Sequence, residues 1–172
     1  SGWFSEHTQN SRFLVSTFID DLNGAKILDI GCGCGAFFGY LINNDIEVEY
    51  HGLDISKEMI ELAQAQYPNN NFIHADFLDP TWNKNDEKFD YVFASGPFNL
   101  KLEHQDIYIK ENIQKMFNLC KKGISLNLLS AHAPKKMMYP NTFFYYDPVI
   151  ILQYCLTLTR YVTLSQHYLP ND

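Results

Sequence analysis

With 172 residues, 46% of them hydrophobic, the chain is long enough for one domain with a buried core, which excludes a disordered chain and a disulfide-dependent miniprotein. Thirteen Lys and Arg against twenty Asp and Glu leave a net charge of −7, which disfavours phosphate backbones and anionic lipid as partners. The excess is confined to residues 1–100, with 5 basic and 15 acidic side chains; residues 101–172 carry 8 and 5 and could receive an anion.

In chain order, residues 8–22 place Phe13, Leu14, Ile19 and Leu22 at a loosely helical period that Asn23-Gly24 closes. Lys26-Ile27-Leu28-Asp29-Ile30 reads as a first strand running into glycines, and Phe37, Phe38, Leu41 and Ile42 follow at helical spacing. Glu47 to Leu53 reads as a second strand. Ser56 then caps a helix through Met59, Ile60, Leu62 and Ala63, which Pro68-Asn69-Asn70 ends. Phe72 to Ala75 is a third strand and Phe89 to Ala94 a fourth, with a polar loop or single turn over Asp79 to Lys88 between them. A helix from about Asp106 to Cys120 carries Ile109, Ile113, Met116, Phe117 and Cys120 on one face. On the same segment and just beyond it, Lys110, Lys115, Lys121 and Lys122 read as a solvated face. Gly123 opens a fifth strand, Ile124 to Leu129. Asp147-Pro148 caps a helix over Val149 to Leu156, and Arg160 to His167 reads as a sixth strand.

The alternation predicts an α/β fold with a doubly wound, mostly parallel sheet, in which ligands sit at the carboxyl ends of the strands. No run reaches the roughly 18 apolar residues of a membrane span, and no basic segment followed by a short apolar run opens the chain, so a cytoplasmic protein is expected. The four cysteines, at 32, 34, 120 and 155, read as free thiols, and no metal site is expected.

Asp29-Ile30-Gly31-Cys32-Gly33-Cys34-Gly35-Ala36 leaves a strand and enters a helix, where glycines let the backbone approach a bound molecule closely. Gly31, Gly33 and Ala36 fit the dinucleotide pattern GxGxxG/A, while Asp29, Gly31, Gly33 and Gly35 fit DxGxGxG. This one turn leaves both readings open. Asp54, at the end of the second strand, suits a ribose diol in either, or a helix cap.

Taken together, the segments Ile27 to Gly35, His51 to Ser56, His74-Ala75-Asp76-Phe77 and Phe89 to Val92 resemble the four ordered motifs of class I S-adenosylmethionine-dependent methyltransferases, over residues 25–130. The resemblance implies a Rossmann-like fold with S-adenosylmethionine as cofactor. In it Gly31, Cys32 and Gly33 pack on the methionine part, with Asp29 beneath them. It also implies that Asp54 holds the ribose hydroxyls, Ile55 packs on adenine, Asp76 and the Phe77 amide pair with the adenine edge, and Ser95-Gly96-Pro97 lines the site beside the sulfonium. Arg12 corresponds to an arginine that binds the cofactor carboxylate in some small-molecule members; a solvated surface arginine is the plain alternative.

The implied organisation is a single domain, 1–172: an amino-terminal helix or lid over 1–24, the cofactor core over 25–130, and the acceptor-side connection, helix and last strand over 131–172. The family's final antiparallel strand is expected to be missing, because the chain stops just after the sixth strand. His132, directly after the fifth strand, is the leading candidate base, ahead of His104, Tyr108 and Tyr139. Ser95-Gly96-Pro97-Phe98 departs from the Asn/Asp-Pro-Pro-Tyr/Phe motif of amide and exocyclic-amine methylation at its first two positions. Lys135-Lys136 lies beside Met137, Met138 and Tyr139 in the connection where the family often builds its acceptor pocket, so the resemblance implies an anionic or polar small-molecule acceptor, and the overall acidity argues against nucleic acid. The rival readings are an NAD-dependent oxidoreductase and a catalytically idle cofactor-binding subunit.

Overall fold

A computed structural model of the protein describes residues 6–169, so residues 1–5 of the expected amino-terminal segment and the last three residues of the chain lie outside the described part. Five strands form the sheet: β1 (Lys26–Ile30), β2 (Glu49–Asp54), β3 (Asn71–His74), β4 (Phe89–Ser95) and β5 (Cys120–Asn127). Every pairing is parallel and the order is β3-β2-β1-β4-β5. The helices are α1 (Glu6–Thr17), α2 (Ala36–Asn43), α3 (Lys57–Gln66), α4 (Gln105–Leu119) and α5 (Pro148–Leu158).

Because side chains alternate across a strand, each strand feeds two cores. Ile27, Tyr91 and Phe93 face Phe13 of α1, Phe37 and Leu41 of α2 and Ile60 of α3. Their chain neighbours Leu28, Ile30, Val92 and Ala94 face Ile109, Ile113 and Met116 of α4, with Ile151 and Tyr154 of α5 packed behind. Helices on both faces of a parallel sheet make the doubly wound arrangement that the alternation predicts. The strand order reverses between β1 and β4, so the crevice at their carboxyl ends is the place for a ligand.

Residues 160–167 form no strand among the described residues, which corrects the sixth-strand expectation. The segment has strand-forming residues but no backbone ladder among the described residues: Tyr161 is 77% exposed, and side-chain bonds join Gln166 to Ser130 and Tyr168 to Asn127. β5 also begins earlier than expected, running on from α4 without a loop. Gly123 sits inside it, where a β-carbon would come within 2.9 Å of Ile19 Cδ1.

Candidate functional site

The turn after β1 is built from backbone that only glycine adopts easily: Gly31, Gly33 and Gly35 have φ of 69°, 56° and 85°. The N–H groups of Gly31 and Cys32 both donate to Leu53 O of β2, which ties the turn to the neighbouring strand. On the other side the loop after β4 presses in, so that a β-carbon on Gly31 would lie 2.5 Å from Pro97 Cβ. A β-carbon on Gly33 would meet nothing within 4 Å, so the outer side of the turn is open.

Asp54 joins two motifs. Its Oδ2 accepts from Gly33 N–H at 2.8 Å, and its Oδ1 accepts from Ser56 N–H at 2.8 Å. The cap of α3 is Ser56, whose hydroxyl accepts from Met59 N–H, so capping is not the work of Asp54. Next to it, Ile55 carries a large apolar side chain that is 69% exposed at a strand end.

Asp29 lies beneath the turn, buried on the α1–α2 side of the sheet, where Tyr50 Oη donates to its Oδ2 at 2.6 Å. Burial lifts its pKa to about 7; the Tyr50 bond opposes this and the charge of Asp54 adds to it. Cys32 is buried, and a β-carbon on Gly52 would come within 2.9 Å of its Sγ. Burial raises its thiol far above the ordinary range, so Cys32 fills space in the turn.

After β3, the Asp76 side chain accepts from Leu78 N–H at 2.9 Å and is exposed, whereas the Phe77 ring is buried. Lys115 corrects the reading of a solvated lysine face. Its Nζ donates to Phe77 O and lies 5.1 Å from the Phe77 ring centroid and 6.0 Å from that of Trp82. Burial lowers its pKa, with Asp76 and Asp79 opposing the shift. The lysine thus braces the loop that presents Asp76.

Arg12 is 8% exposed, which rules out the solvated surface arginine. Beyond the end of α1, Ile19 lies against Gly123 and Asp20 accepts from the Tyr91 hydroxyl, both near the amino ends of the strands. Phe13 meets Phe37 in the first turn of α2 at 5.1 Å between centroids. α1 therefore points its amino end toward the carboxyl ends of the strands, and Arg12 precedes Phe13 toward that end.

Ser95 ends β4 half-buried, beside the turn. His132 is exposed five residues beyond β5, held through its own N–H to Ser130 Oγ, and its ring has no partner among the described residues. His104 occupies the left-handed position before α4. The aromatic run after residue 140 packs inward: Tyr146 is buried and its hydroxyl donates to Phe98 O at 2.6 Å. The structure thus brings Asp29, Gly31, Cys32, Gly33, Asp54 and Ser95 together at one crevice, with Arg12 on α1 on the same side of the sheet as Asp29. Ile55, Asp76 and Phe77 stand beside it at the ends of β2 and β3, and His132 stands apart on the β5 side.

The sequence reading missed Pro97 as the wall against Gly31, Lys115 as the brace behind Phe77, and Asn127 at the end of β5. Only Asn127 left a trace in the sequence: a polar residue closing an apolar strand at the level of the other candidates.

The methyltransferase domain family matches residues 27–123 of the chain. A protein of Mycobacterium tuberculosis named as a methyltransferase is 29% identical over 134 residues, which cover 76% of this chain and 78% of the relative. Trans-aconitate 2-methyltransferase of Rhizobium rhizogenes is 31% identical over 107 residues, 60% of this chain but 39% of the relative. Among solved structures, a SAM-dependent methyltransferase from Archaeoglobus fulgidus aligns with a TM-score of 0.68 at 19% identity, covering 90% of this chain and 68% of that one. Magnesium protoporphyrin IX methyltransferase from Synechocystis, solved with bound SAM, aligns with a TM-score of 0.61 at 16% identity, covering 88% and 65%.

Proposed function

Because the chain belongs to the methyltransferase domain family, we propose that it binds S-adenosylmethionine in the crevice between β1 and β4 and passes the methyl group to a small polar or anionic acceptor in the cytoplasm. The observation that carries this reading is the pair of hydrogen bonds that Asp54 accepts from Gly33 N–H and Ser56 N–H, which sets a carboxylate against the glycine turn where the strand order reverses. A carboxylate there accepts from a ribose diol, and the open side of Gly33 leaves room for a ligand. When bound, S-adenosylmethionine supplies a methyl carbon activated by positive sulfur.

In this reading Gly31, Cys32 and Gly33 offer backbone to the methionine part. Arg12 takes its carboxylate as a charge-assisted pair. Asp76 and the Phe77 amide receive the adenine edge, braced by Lys115, while Ile55 covers the adenine face. Ser95 stands at the reacting centre. Transfer is an in-line displacement, so holding the two partners in line supplies much of the rate. His132 is the residue offered for proton removal where the acceptor needs it. The net charge of −7 supports a small molecule over nucleic acid, and the free thiols support a reducing compartment. Among the described residues no helix is long and apolar enough to cross a membrane.

Titration calorimetry with S-adenosylhomocysteine tests the reading. Binding is expected for the intact chain, with none for NAD, and Asp54→Ala should weaken it at least tenfold, about 1.4 kcal/mol. An unchanged affinity in the variant removes the ribose assignment, and no binding by the intact chain overturns the cofactor reading.

A further inference from the structure

Asn127 closes β5 and is 5% exposed. Its Nδ2 donates to the Tyr168 hydroxyl at 3.0 Å, while its Oδ1 is the buried side-chain atom left without a partner among the described residues. A buried amide oxygen gives up its bonds to water, and the interior normally replaces them. The neighbouring buried amides follow that rule: Asn99 Oδ1 accepts from Leu129 N–H at 2.9 Å and Gln105 Oε1 from Leu102 N–H at 2.8 Å. The exception at Asn127 therefore calls for a ligand.

Its position says which one. Asn127 pairs with Ser95 across the β4–β5 ladder, one rung beyond the pairing of Ile30 with Ala94. It stands two strand spacings, roughly 10 Å, from β1 at the level where the glycine turn begins. Residues 123, 125 and 127 share one face of β5, and Gly123 on that face lies against Ile19, which follows α1. Asn127 thus faces the side on which Arg12, Asp29 and Ser95 lie, past the reacting centre and away from the ribose carboxylate.

We propose that Asn127 recognises the methyl acceptor: its Oδ1 accepts a hydrogen bond from an O–H or N–H group on a small molecule seated beyond the ends of β4 and β5. The acceptor class is thereby a protic one, an alcohol, phenol or amine. Tyr168 accepts from the amide nitrogen, which leaves the oxygen as the group available to that acceptor. A carboxamide accepts a hydrogen bond without taking the proton, so the contact orients the acceptor and leaves its lone pair free. The assignment rests on the methyltransferase reading above.

The test uses the full chain saturated with S-adenosylhomocysteine and ligand-observed NMR with two matched probe pairs that are uncharged at neutral pH, phenol against anisole and aniline against N,N-dimethylaniline. The intact protein should bind the protic member of each pair at least tenfold more tightly. Asn127→Leu, close in size but unable to accept, should abolish the preference while keeping S-adenosylhomocysteine affinity and a melting temperature no lower than that of the parent. Asn127→Asp, which still accepts, should retain the preference. No preference in the intact protein, whether both probes bind equally or neither binds, overturns the proposal, as does a preference that survives in Asn127→Leu. A purely structural role for Asn127 would instead lower the melting temperature of the Leu variant with no change in probe selectivity. Failure of the intact chain to bind S-adenosylhomocysteine overturns the underlying reading, and this one with it.

Discussion

At the scale of single residues, Asp29 carries the sharpest physical consequence. It shares a strand face with Ile27, so the alternation that builds the core also buries a carboxyl group beneath the turn. Its folded pKa, about 7, lies above the 3.8 expected of an open aspartate. The native state therefore keeps a proton that the unfolded chain has lost between about pH 4 and about pH 7. Stability from this group is full on the acid side, falls as pH rises through that window, and stays low above it. Asp29→Asn removes the titration and keeps an oxygen to accept from Tyr50. Thermal melts should show the variant gaining on the parent at pH 8 and not at pH 4, by at most on the order of 4 kcal/mol, the free energy of displacing a proton equilibrium by about three powers of ten. A gain equal at both pH values would place the effect elsewhere.

At the scale of elements, the glycine turn separates two kinds of cost. Gly33 has a left-handed backbone but open space, so Gly33→Ala should lose only the backbone preference, about 1 kcal/mol. Gly31 has the same backbone and also meets the Pro97 ring, which cannot swing aside, so Gly31→Ala should cost about 3 kcal/mol by denaturant unfolding. Equal losses would mean that the loop after β4 gives way freely. The turn itself was legible in the sequence because its signals are local: glycines, the strand before and the helix after. Its Pro97 wall was not, because residues 31 and 97 meet only through the crossover that places β4 beside β1. The same division explains the other outcomes. The five strands and the four helices after β1 and β2, after β4 and after residue 147 follow from period and caps. Arg160 to His167 has strand-like residues, but a strand exists only where a ladder receives it, and composition carries no record of that. Lys115 falls at a spacing that suits solvent, yet the loop after β3 folds over it and turns a charged side chain into a brace. Asn127 could be seen as a polar strand end, but its missing partner is a property of three dimensions alone.

At the scale of the whole molecule, the crevice is built on the three central strands of the sheet. The turn bonds to Leu53 and Asp54 of β2, rests on Asp29 of β1 and touches Pro97 after β4, so three central parallel strands converge on it. Parallel strands buried by helices on both faces do not open locally at low cost, and a ligand held by all three cannot survive their separation. Binding should accordingly appear as global stabilisation. At a free concentration one hundred times its dissociation constant, S-adenosylhomocysteine should add about 2.7 kcal/mol. For a domain of this size that raises Tm by roughly 5 to 11 °C. NADH at the same concentration should leave Tm where it was, because residues 1–100 carry 15 acidic against 5 basic side chains, a field that disfavours a pyrophosphate beside Asp54. Differential scanning fluorimetry over a titration checks both arms. The size of the shift also tests the wiring: a ligand that bound with the measured affinity yet left Tm unmoved would have to occupy a segment that opens before the sheet does, away from the Gly33–Asp54 contact.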